Sequence, residues 1–276
     1  MKRKGFILIF MILTMLLMTS CDLKQENSKK QDSGTKKKIT IGYDLYKPYA
    51  YIDENGQCTG IDIEIARKAC ERMGYEPVFQ RITWGYQREL LKEKKIDCVW
   101  CGFSENGRQT EYQWTKPYLK SQEVVVVRSD SQIRKLSDLT GKKVAVQVDT
   151  KAEEYFENQI KNGKIKVSQI ATYKNMKEAM AAFDKGYVDA IATHEATLKE
   201  YTKNNRSSYR FLKTPIVYSK LGVAFDKAYD EKAVDLLSNT LQDMTEDGTI
   251  KKIIKNYKID TSRLMEGASN DRKESK

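Results

Sequence analysis

The sequence predicts an α/β fold in which helices cover mostly parallel sheets. From Lys38 onward, short apolar segments that are typical of strands alternate with amphipathic segments that are typical of helices, which is the pattern of βα units. The composition changes near Arg128, where a second series of such units begins. The chain has 276 residues, enough for two domains of about 100 residues each.

The first series contains three predicted strands and two predicted helices. Asn55 and Gly56 suit a turn with positive φ, Asp62 is expected to cap the first helix, and Gly74 is expected to end it. In chain order, the predicted segments are a strand at 39–43, a turn at 52–57, a helix from 62 to 73, a strand at 77–82, a helix at 86–94 and a strand at 96–103.

The second series begins with the strongly apolar extended run Val124–Val127. The segments predicted after it are a short helix and turn at 136–141, strands at 143–148, 165–170, 188–192 and 221–225, and helices at 151–162, 176–185, 231–246 and 249–257. Residues 261–276 are expected to form a polar tail.

The N-terminus has the composition of an export signal. Basic residues at positions 2–4 precede an apolar run at 6–18, and Ser20 stands directly before Cys21, which is the order found in secretory signal peptides. The run is shorter than the roughly 20 residues that span a bilayer. A small residue before a cysteine resembles the lipobox of bacterial lipoproteins, so we expect removal of residues 1–20 and lipidation of Cys21. The alternative is an ordinary signal peptide with an incidental cysteine.

The segment 21–38 is expected to be the lipidated cysteine followed by a flexible linker. It is rich in Lys, Gln, Ser and Asp, so it cannot bury enough apolar surface to fold. Each of its lysines would add about 1 kcal/mol of attraction to anionic head groups. The sequence therefore predicts a lipid anchor on the extracytoplasmic face of the cell membrane.

The net charge of +11 does not by itself indicate a nucleic-acid partner. The lysines are spread along the chain, and we find no helix-turn-helix, RNP-like or zinc-finger pattern. We interpret the charge as favouring solubility and membrane attraction, and we expect no nucleic-acid binding.

Cys98 and Cys101 have CxxC spacing but lie in the third predicted strand, where residues three apart point to opposite faces. A redox pair is better placed at the start of a helix. Structural zinc needs a second ligand pair, and the only histidine is His194. We therefore predict buried or site-lining thiols, no metal and no cofactor. A disulfide between Cys58 and Cys70 remains open.

Seven short segments together resemble the extracellular solute-binding proteins of family 3, the receptors of polar amino acid ABC importers. Each segment alone is a weak signal, but their order and spacing extend from Ile39 to about Ile259. The segments are Tyr46–Tyr51, Asp53–Gly56 with Gly60–Glu64, Lys95–Asp97, Pro117–Tyr118, Leu136–Val144, Gly186–Ala190 and Asp247–Ile250.

The resemblance implies a two-lobed periplasmic-binding-protein-like (type II) fold, in which two α/β lobes are joined by two hinge strands and close around a ligand. Residues 39–126 and 221–260 would form lobe 1, and residues 127–220 would form lobe 2. The hinge strands would be Val124–Val127 and the segment near Lys220.

The resemblance also implies a binding site for a free amino acid. Arg108 matches the arginine whose guanidinium holds the ligand carboxylate through two hydrogen bonds, and Gly102 and Ser104 would add backbone or hydroxyl donors. On the residues alone, Arg108 in its polar loop also fits a surface arginine. Thr150 and Lys151 match the turn before a helix in lobe 2, where backbone N–H groups meet the carboxylate.

Tyr46 and Trp84 match aromatic positions that enclose the ligand side chain, and core aromatic residues are the alternative. Asp149 stands where the family usually has glycine, and His194 stands where the family has the aspartate that binds the ligand ammonium. Since a neutral imidazole neutralises no charge, Glu195, Asp44 or Asp149 would have to substitute, or the ligand lacks an ordinary α-ammonium, or Glu195 itself occupies the aspartate position. Asp44 and Cys101 complete the predicted ligand-binding set.

We predict from this a non-catalytic receptor that captures a small polar solute, with an amino acid as the expected ligand, and delivers it to an ABC permease. A monomer is the expectation from the family. One alternative is a dehydratase-like enzyme on the same scaffold, with His194 or Glu195 as general acid or base. Another is a ligand-sensing module, although the polar tail offers no transmembrane helix after the domain.

Overall fold

The computed structural model describes residues 36–265. The predicted signal peptide, Cys21 and nearly all of the predicted linker lie outside the described residues, as do residues 266–276. Among the residues described, no helix has the length and apolar character needed to cross a membrane.

Two large sheets with flanking helices, and a small two-stranded sheet formed by Tyr51–Ile52 and Cys58–Thr59, make up the described chain. The strands are β1 (Lys37–Tyr43), β2 (Tyr51–Ile52), β3 (Cys58–Thr59), β4 (Tyr75–Arg81), β5 (Cys98–Val99), β6 (Gln113–Trp114), β7 (Leu119–Arg128), β8 (Lys143–Gln147), β9 (Gln169–Tyr173), β10 (Ala190–His194), β11 (Tyr209–Phe211), β12 (Val217–Leu221) and β13 (Ala224–Phe225).

The α-helices are α1 (Ile61–Met73), α2 (Gln87–Lys92), α3 (Lys151–Lys161), α4 (Met176–Asp184), α5 (Glu195–Thr202), α6 (Glu231–Glu246) and α7 (Thr249–Asn256). Three short 3₁₀ helices lie at Leu136–Leu139, Arg206–Ser208 and Thr261–Arg263.

The first sheet has the strand order β4-β1-β5-β13-β6, and the second has the order β11-β7-β10-β8-β9, with β12 also paired to β7. In the first sheet β1 is parallel to β4 and β5. In the second, β8 is parallel to β9 and β10. The fold class predicted from the sequence is confirmed: the molecule has two α/β lobes, each built on one sheet.

β7 and β12 connect the lobes as an antiparallel pair. At 119–122, β12 is the only strand that pairs with β7 among the described residues, and from Glu123 onward β7 also pairs with β10. The chain then returns from Leu221 into β13 of the first sheet. The two-stranded ribbon between the lobes is thus 119–122 with 218–221, whereas the predicted hinge strand Val124–Val127 lies inside the second sheet, between β10 and β11.

Three predicted strands and the predicted tail also differ from their predicted forms. The strand expected at 96–103 is reduced to β5, because the chain turns at Gly102 (φ 58°) and buries Trp100 and Phe103 in the core. The strand expected at 165–170 begins at Gln169, and the one expected at 221–225 is divided between β12 and β13. Residues 261–264 of the predicted tail are ordered, since Leu264 forms a β-bridge with Leu119.

Helix α1 shows how the first lobe positions its cleft. Its apolar positions from Ile61 to Cys70 are buried, and Gly74 ends it in the left-handed conformation, at φ 72°. Asp62 is not the N-cap, which is Gly60. The Asp62 side chain is buried instead and accepts a hydrogen bond of 2.5 Å from the Gly102 backbone N–H. α1 therefore anchors the loop that follows β5.

Candidate functional site

A cleft lies between the two lobes. Both sheets contribute to its walls. All ten residues predicted for ligand binding line this cleft: Asp44, Tyr46, Trp84, Cys101, Gly102, Ser104, Arg108, Thr150, Lys151 and His194. Phe103, Glu123, Gln147 and Asp149 line it as well.

The topology explains why these positions meet. Asp44 and Tyr46 follow the carboxyl end of β1, and Cys101 follows that of β5, its parallel neighbour. Across the cleft, Asp149 follows the carboxyl end of β8, and His194 ends β10, which is parallel to it. Carboxyl ends of parallel strands meet at one sheet edge, where open α/β sheets form their ligand crevices.

Arg108 lies inside the cleft and not on the surface, since only 6 % of it is exposed. Its Nη1 donates to the Ser104 carbonyl at 3.3 Å, and its Nη2 donates to the Asp149 carbonyl in the second lobe at 3.0 Å. The guanidinium also lies over the Phe103 ring, 5.1 Å from the centroid. Because guanidinium has five N–H donors, this arrangement fixes Arg108 and leaves donors for an anionic group.

The N-terminus of α3 faces Arg108 from the second lobe. Thr150 is its N-cap, accepting from the Glu153 N–H at 3.4 Å and donating to the Gln147 carbonyl at 2.7 Å. The Lys151 ammonium pairs with Glu154. The free N–H groups and dipole of a helix N-terminus favour an anion. Asp149, just before it, has φ 52°, a conformation that glycine adopts readily and aspartate tolerates better than most residues.

Tyr46 and Trp84 form aromatic walls and also contact the second lobe. The Trp84 indole N–H donates to the Asp149 carbonyl at 3.3 Å, and the Tyr46 hydroxyl bonds to the Thr193 hydroxyl. Both side chains are buried. The sequence left two alternatives for these residues, aromatic rings that line the cleft and aromatic rings of the core. Both rings are buried in the closed molecule and also line the cleft.

Asp44 is already engaged by protein donors. Its Oδ1 accepts from the Leu45 N–H at 2.7 Å and its Oδ2 from the Gln147 amide at 2.9 Å. Burial raises its pKa above the usual value of an aspartate. The Cys101 thiol donates to the Asp44 carbonyl at 3.2 Å, and burial raises the pKa of this thiol well above its usual value. Cys101 is thus a neutral thiol of the cleft wall.

The other cysteines of the described residues, Cys58, Cys70 and Cys98, are free thiols as well. The disulfide between Cys58 and Cys70 that the sequence left open is therefore not formed in this structure. Within residues 36–265, no cluster of three or more His, Cys, Asp or Glu side chains has the geometry of a metal site.

His194 is a neutral, fully packed side chain. Its Nδ1 lies 2.8 Å from the Ser121 hydroxyl, and its ring contacts Tyr46 and Tyr49 edge-on. Burial lowers the pKa of this imidazole to about 4, so it carries no charge at neutral pH. Glu195 does not take over its place: its carboxylate pairs with Arg263 at 3.1 Å and with Lys199 at 2.8 Å, away from the cleft lining.

Glu123 is the charged cleft residue that sequence reasoning missed. It lies in β7 directly opposite His194 in β10, with Oε1 3.9 Å from Nε2, and only 2 % of it is exposed. Burial raises the pKa of its carboxyl to about 7. A signal was present in the sequence, since a lone glutamate directly precedes the apolar run 124–127.

Comparison with known proteins yields relatives along nearly the whole chain. A probable histidine-binding protein of Campylobacter jejuni is 25 % identical, over 93 % of this chain and 100 % of its own length. The ABC transporter arginine-binding protein 1 of Escherichia coli is 27 % identical, over 78 % of this chain and 88 % of its own. The structure of an ancestral arginine-binding protein bound to arginine has a TM-score of 0.73 at 26 % identity, covering 81 % of this chain and 99 % of that one.

The family comparison agrees with the geometry of the cleft. Residues 39–260 match the bacterial extracellular solute-binding proteins, family 3, and both lobes and their connecting ribbon fall within that range. The relatives described above carry names of binding proteins and not of enzymes. The chain therefore belongs to the bacterial extracellular solute-binding proteins, family 3, and is a solute-binding protein with its cleft between two α/β lobes.

Proposed function

We propose that this protein binds one free amino acid between its lobes and delivers it to the permease of an ABC importer. The observation that carries the proposal is the meeting of two anion-binding groups from opposite lobes. Arg108 of the first lobe and the N-terminus of α3 in the second face the same buried cleft. A carboxylate between them would receive N–H donors from both lobes, and only in the closed molecule.

The names of the relatives support an amino acid as the solute. Proteins similar to this chain are described as binding histidine or arginine, one of them as part of an ABC transporter. In this chain, Tyr46, Trp84 and Asp44 also line the cleft. Aromatic faces and a buried carboxylate suit a polar or cationic side chain, so we include basic amino acids among the first ligands to test.

We further propose that the protein is held at the extracytoplasmic face of the cell membrane by a lipid on Cys21. The support is the sequence alone: a signal-like segment at 1–20, a small residue before Cys21 and a lysine-rich segment after it. An acyl anchor together with a basic segment supplies the two signals that stable membrane attachment requires. The extracellular family is consistent with this location.

A thermal-shift screen of the chain from Asp22 onward against the common amino acids, cystine included, tests the proposed function. A ligand at 100 times its Kd stabilises a protein by about 2.7 kcal/mol, so a true ligand gives a clear rise in Tm. Arg108→Ala should abolish this rise. Arg206→Ala, at an exposed arginine outside the cleft, should retain it. If no amino acid raises Tm, or Arg108→Ala responds like Arg206→Ala, the proposal is wrong.

A further inference from the structure

The Glu123 carboxylate is buried in the cleft wall, and one of its oxygens accepts no hydrogen bond from the described residues. Its Oε2 has no hydrogen-bond partner among the described residues. The His194 ring nitrogen, at 3.9 Å from Oε1, is too distant for a hydrogen bond. Burying a carboxylate oxygen without a partner is costly, so a native structure that keeps one at a ligand cleft indicates a partner that arrives with the ligand.

The charged groups around Glu123 do not supply that partner. Burial is the main cause of the raised pKa of Glu123, and the negative charge of Glu154 raises this pKa further. The positive charges of Arg108 and Lys151 and the Ala152 N–H lower the pKa, but only in part. The groups that face Glu123 are Arg108 from the first lobe, Lys151 and Glu154 from α3, His194 from β10, and Tyr46 and Tyr49 from the loop after β1. Within residues 36–265, neither Arg108 nor Lys151 forms an ion pair with Glu123 inside 4.0 Å, and the imidazole of His194, 3.9 Å away, is neutral.

The position of Glu123 relates directly to His194. The two residues are register partners on neighbouring antiparallel strands, which lie about 4.8 Å apart in a sheet. His194, at the place where the family resemblance implies an aspartate, is neutral and is held by Ser121. Moving the carboxylate one strand across, on a side chain longer by one methylene, returns a negative charge to the same part of the cleft.

We propose that Glu123 is a specificity-determining residue of this protein, which accepts the ammonium group of the bound amino acid in place of a carboxylate at position 194. This inference rests on the proposed function. Glu123 lies where the ribbon between the lobes enters the second sheet, so the ligand ammonium contacts the strand about which the lobes close. Arg108 and Glu123 then hold the two charges of a zwitterion at separate points of one cleft.

The test compares ligands and variants by isothermal titration calorimetry. The amino acid found in the thermal-shift screen is measured beside its 2-hydroxy acid analogue, in which a hydroxyl replaces the ammonium. Glu123→Gln keeps shape and removes charge, and Glu105→Gln does the same at a half-buried carboxyl outside the cleft lining. We expect Glu123→Gln to weaken the amino acid about 100-fold, or about 2.7 kcal/mol, to leave the hydroxy acid within about threefold, and Glu105→Gln to change neither.

A second measurement on the unaltered protein keeps the inference testable if Glu123→Gln does not fold. Since the carboxyl is protonated below pH about 7 in the free protein and must ionise to hold an ammonium, binding releases a proton. Affinity should rise about tenfold per pH unit below pH 7 and level off above it. Titration at pH 6 in buffers of different ionisation enthalpy should show close to one proton released.

The outcomes separate the inference from the proposed function. If the protein binds an amino acid but Glu123→Gln binds it equally well, or if affinity is constant from pH 5 to pH 8 without proton release, Glu123 is not the ammonium acceptor and the proposed function stands. If the unaltered protein binds no amino acid in the screen, the proposed function fails and the inference fails with it.

Discussion

Glu123 and His194 lie opposite each other on neighbouring strands. The proposal that the carboxylate at 123 replaces one at 194 can therefore be tested by substitutions at both positions. His194→Asp places a second carboxylate opposite Glu123 in a buried site, where two like charges disfavour each other. We expect this variant to be destabilised at pH 7, and the loss to shrink by at least about 1 kcal/mol in the Glu123→Gln background. Urea unfolding of the four proteins gives the coupling energy.

The double variant Glu123→Gln with His194→Asp also has an expected gain. It carries one carboxylate at the position that the family resemblance implies, so it should recover much of the amino-acid affinity that Glu123→Gln alone loses. Equal destabilisation by His194→Asp in both backgrounds, together with no recovery of binding, would show that the two positions act independently. Lost contacts of His194 with Ser121 and Tyr46 cancel in the comparison.

The same pair shows what sequence reasoning reaches at the scale of single residues. The ten predicted positions all line the cleft. They belong to segments near strand ends, and such segments can be located from the order of residues along the chain alone. Glu123 was missed because its role depends on β7 lying beside β10, a pairing of residues distant in sequence. Whether each of the ten contacts a ligand remains a prediction.

Helix α1 lies between two glycines that differ in their surroundings, and this difference leads to a prediction. Gly60 (φ 128°) would place a Cβ 2.3 Å from the Tyr49 carbonyl oxygen, whereas Gly74 (φ 72°) has nothing within 4 Å. Gly74→Ala should cost about 1 kcal/mol through its left-handed backbone alone. Gly60→Ala should cost at least about 2 kcal/mol more, because backbone atoms must move apart.

Thermal and urea unfolding of the two alanine variants measure this difference. Because α1 holds the Gly102 loop through Asp62, Gly60→Ala should also weaken ligand binding, while Gly74→Ala should leave it unchanged. Equal losses of stability in the two variants would show that the chain before α1 relaxes freely, and that the close approach of Gly60 to Tyr49 is unimportant for the fold.

Elements with strong periodicity were predicted well and short strands were not. The helices at 61–73, 231–246 and 249–256 lie within a residue or so of their expected limits, because an apolar face defines each of them locally and a glycine ends the first. β5 and β13 have two residues each, and their extent is set by strands elsewhere in the sheet. An apolar run such as 96–103 shows that a segment is buried, but not where its hydrogen-bonded ladder ends.

In the whole molecule, three of the bonds between the lobes converge on one residue of the second lobe. The Asp149 carbonyl accepts from Trp84 and Arg108, and its carboxylate accepts from the Gln87 amide. All three donors belong to the first lobe, so these bonds form only when the lobes meet. The ribbon of β7 and β12 is the one two-stranded connection seen between the sheets in residues 36–265, and it allows hinge motion.

Removing one of these interlobe bonds should lower affinity through the population of the closed state. Trp84→Phe keeps an aromatic wall but deletes the N–H donor to Asp149, a bond worth about 1 kcal/mol. The apparent Kd should rise about fivefold as the closed fraction falls, and small-angle X-ray scattering should show a larger mean radius of gyration without ligand.

Trp100→Phe is the matched control. The buried indole N–H of Trp100 has no partner within residues 36–265, and Trp100 lies outside the cleft lining. Unchanged affinity and scattering in Trp84→Phe would mean that ligand contacts, and not direct contacts between the lobes, determine closure.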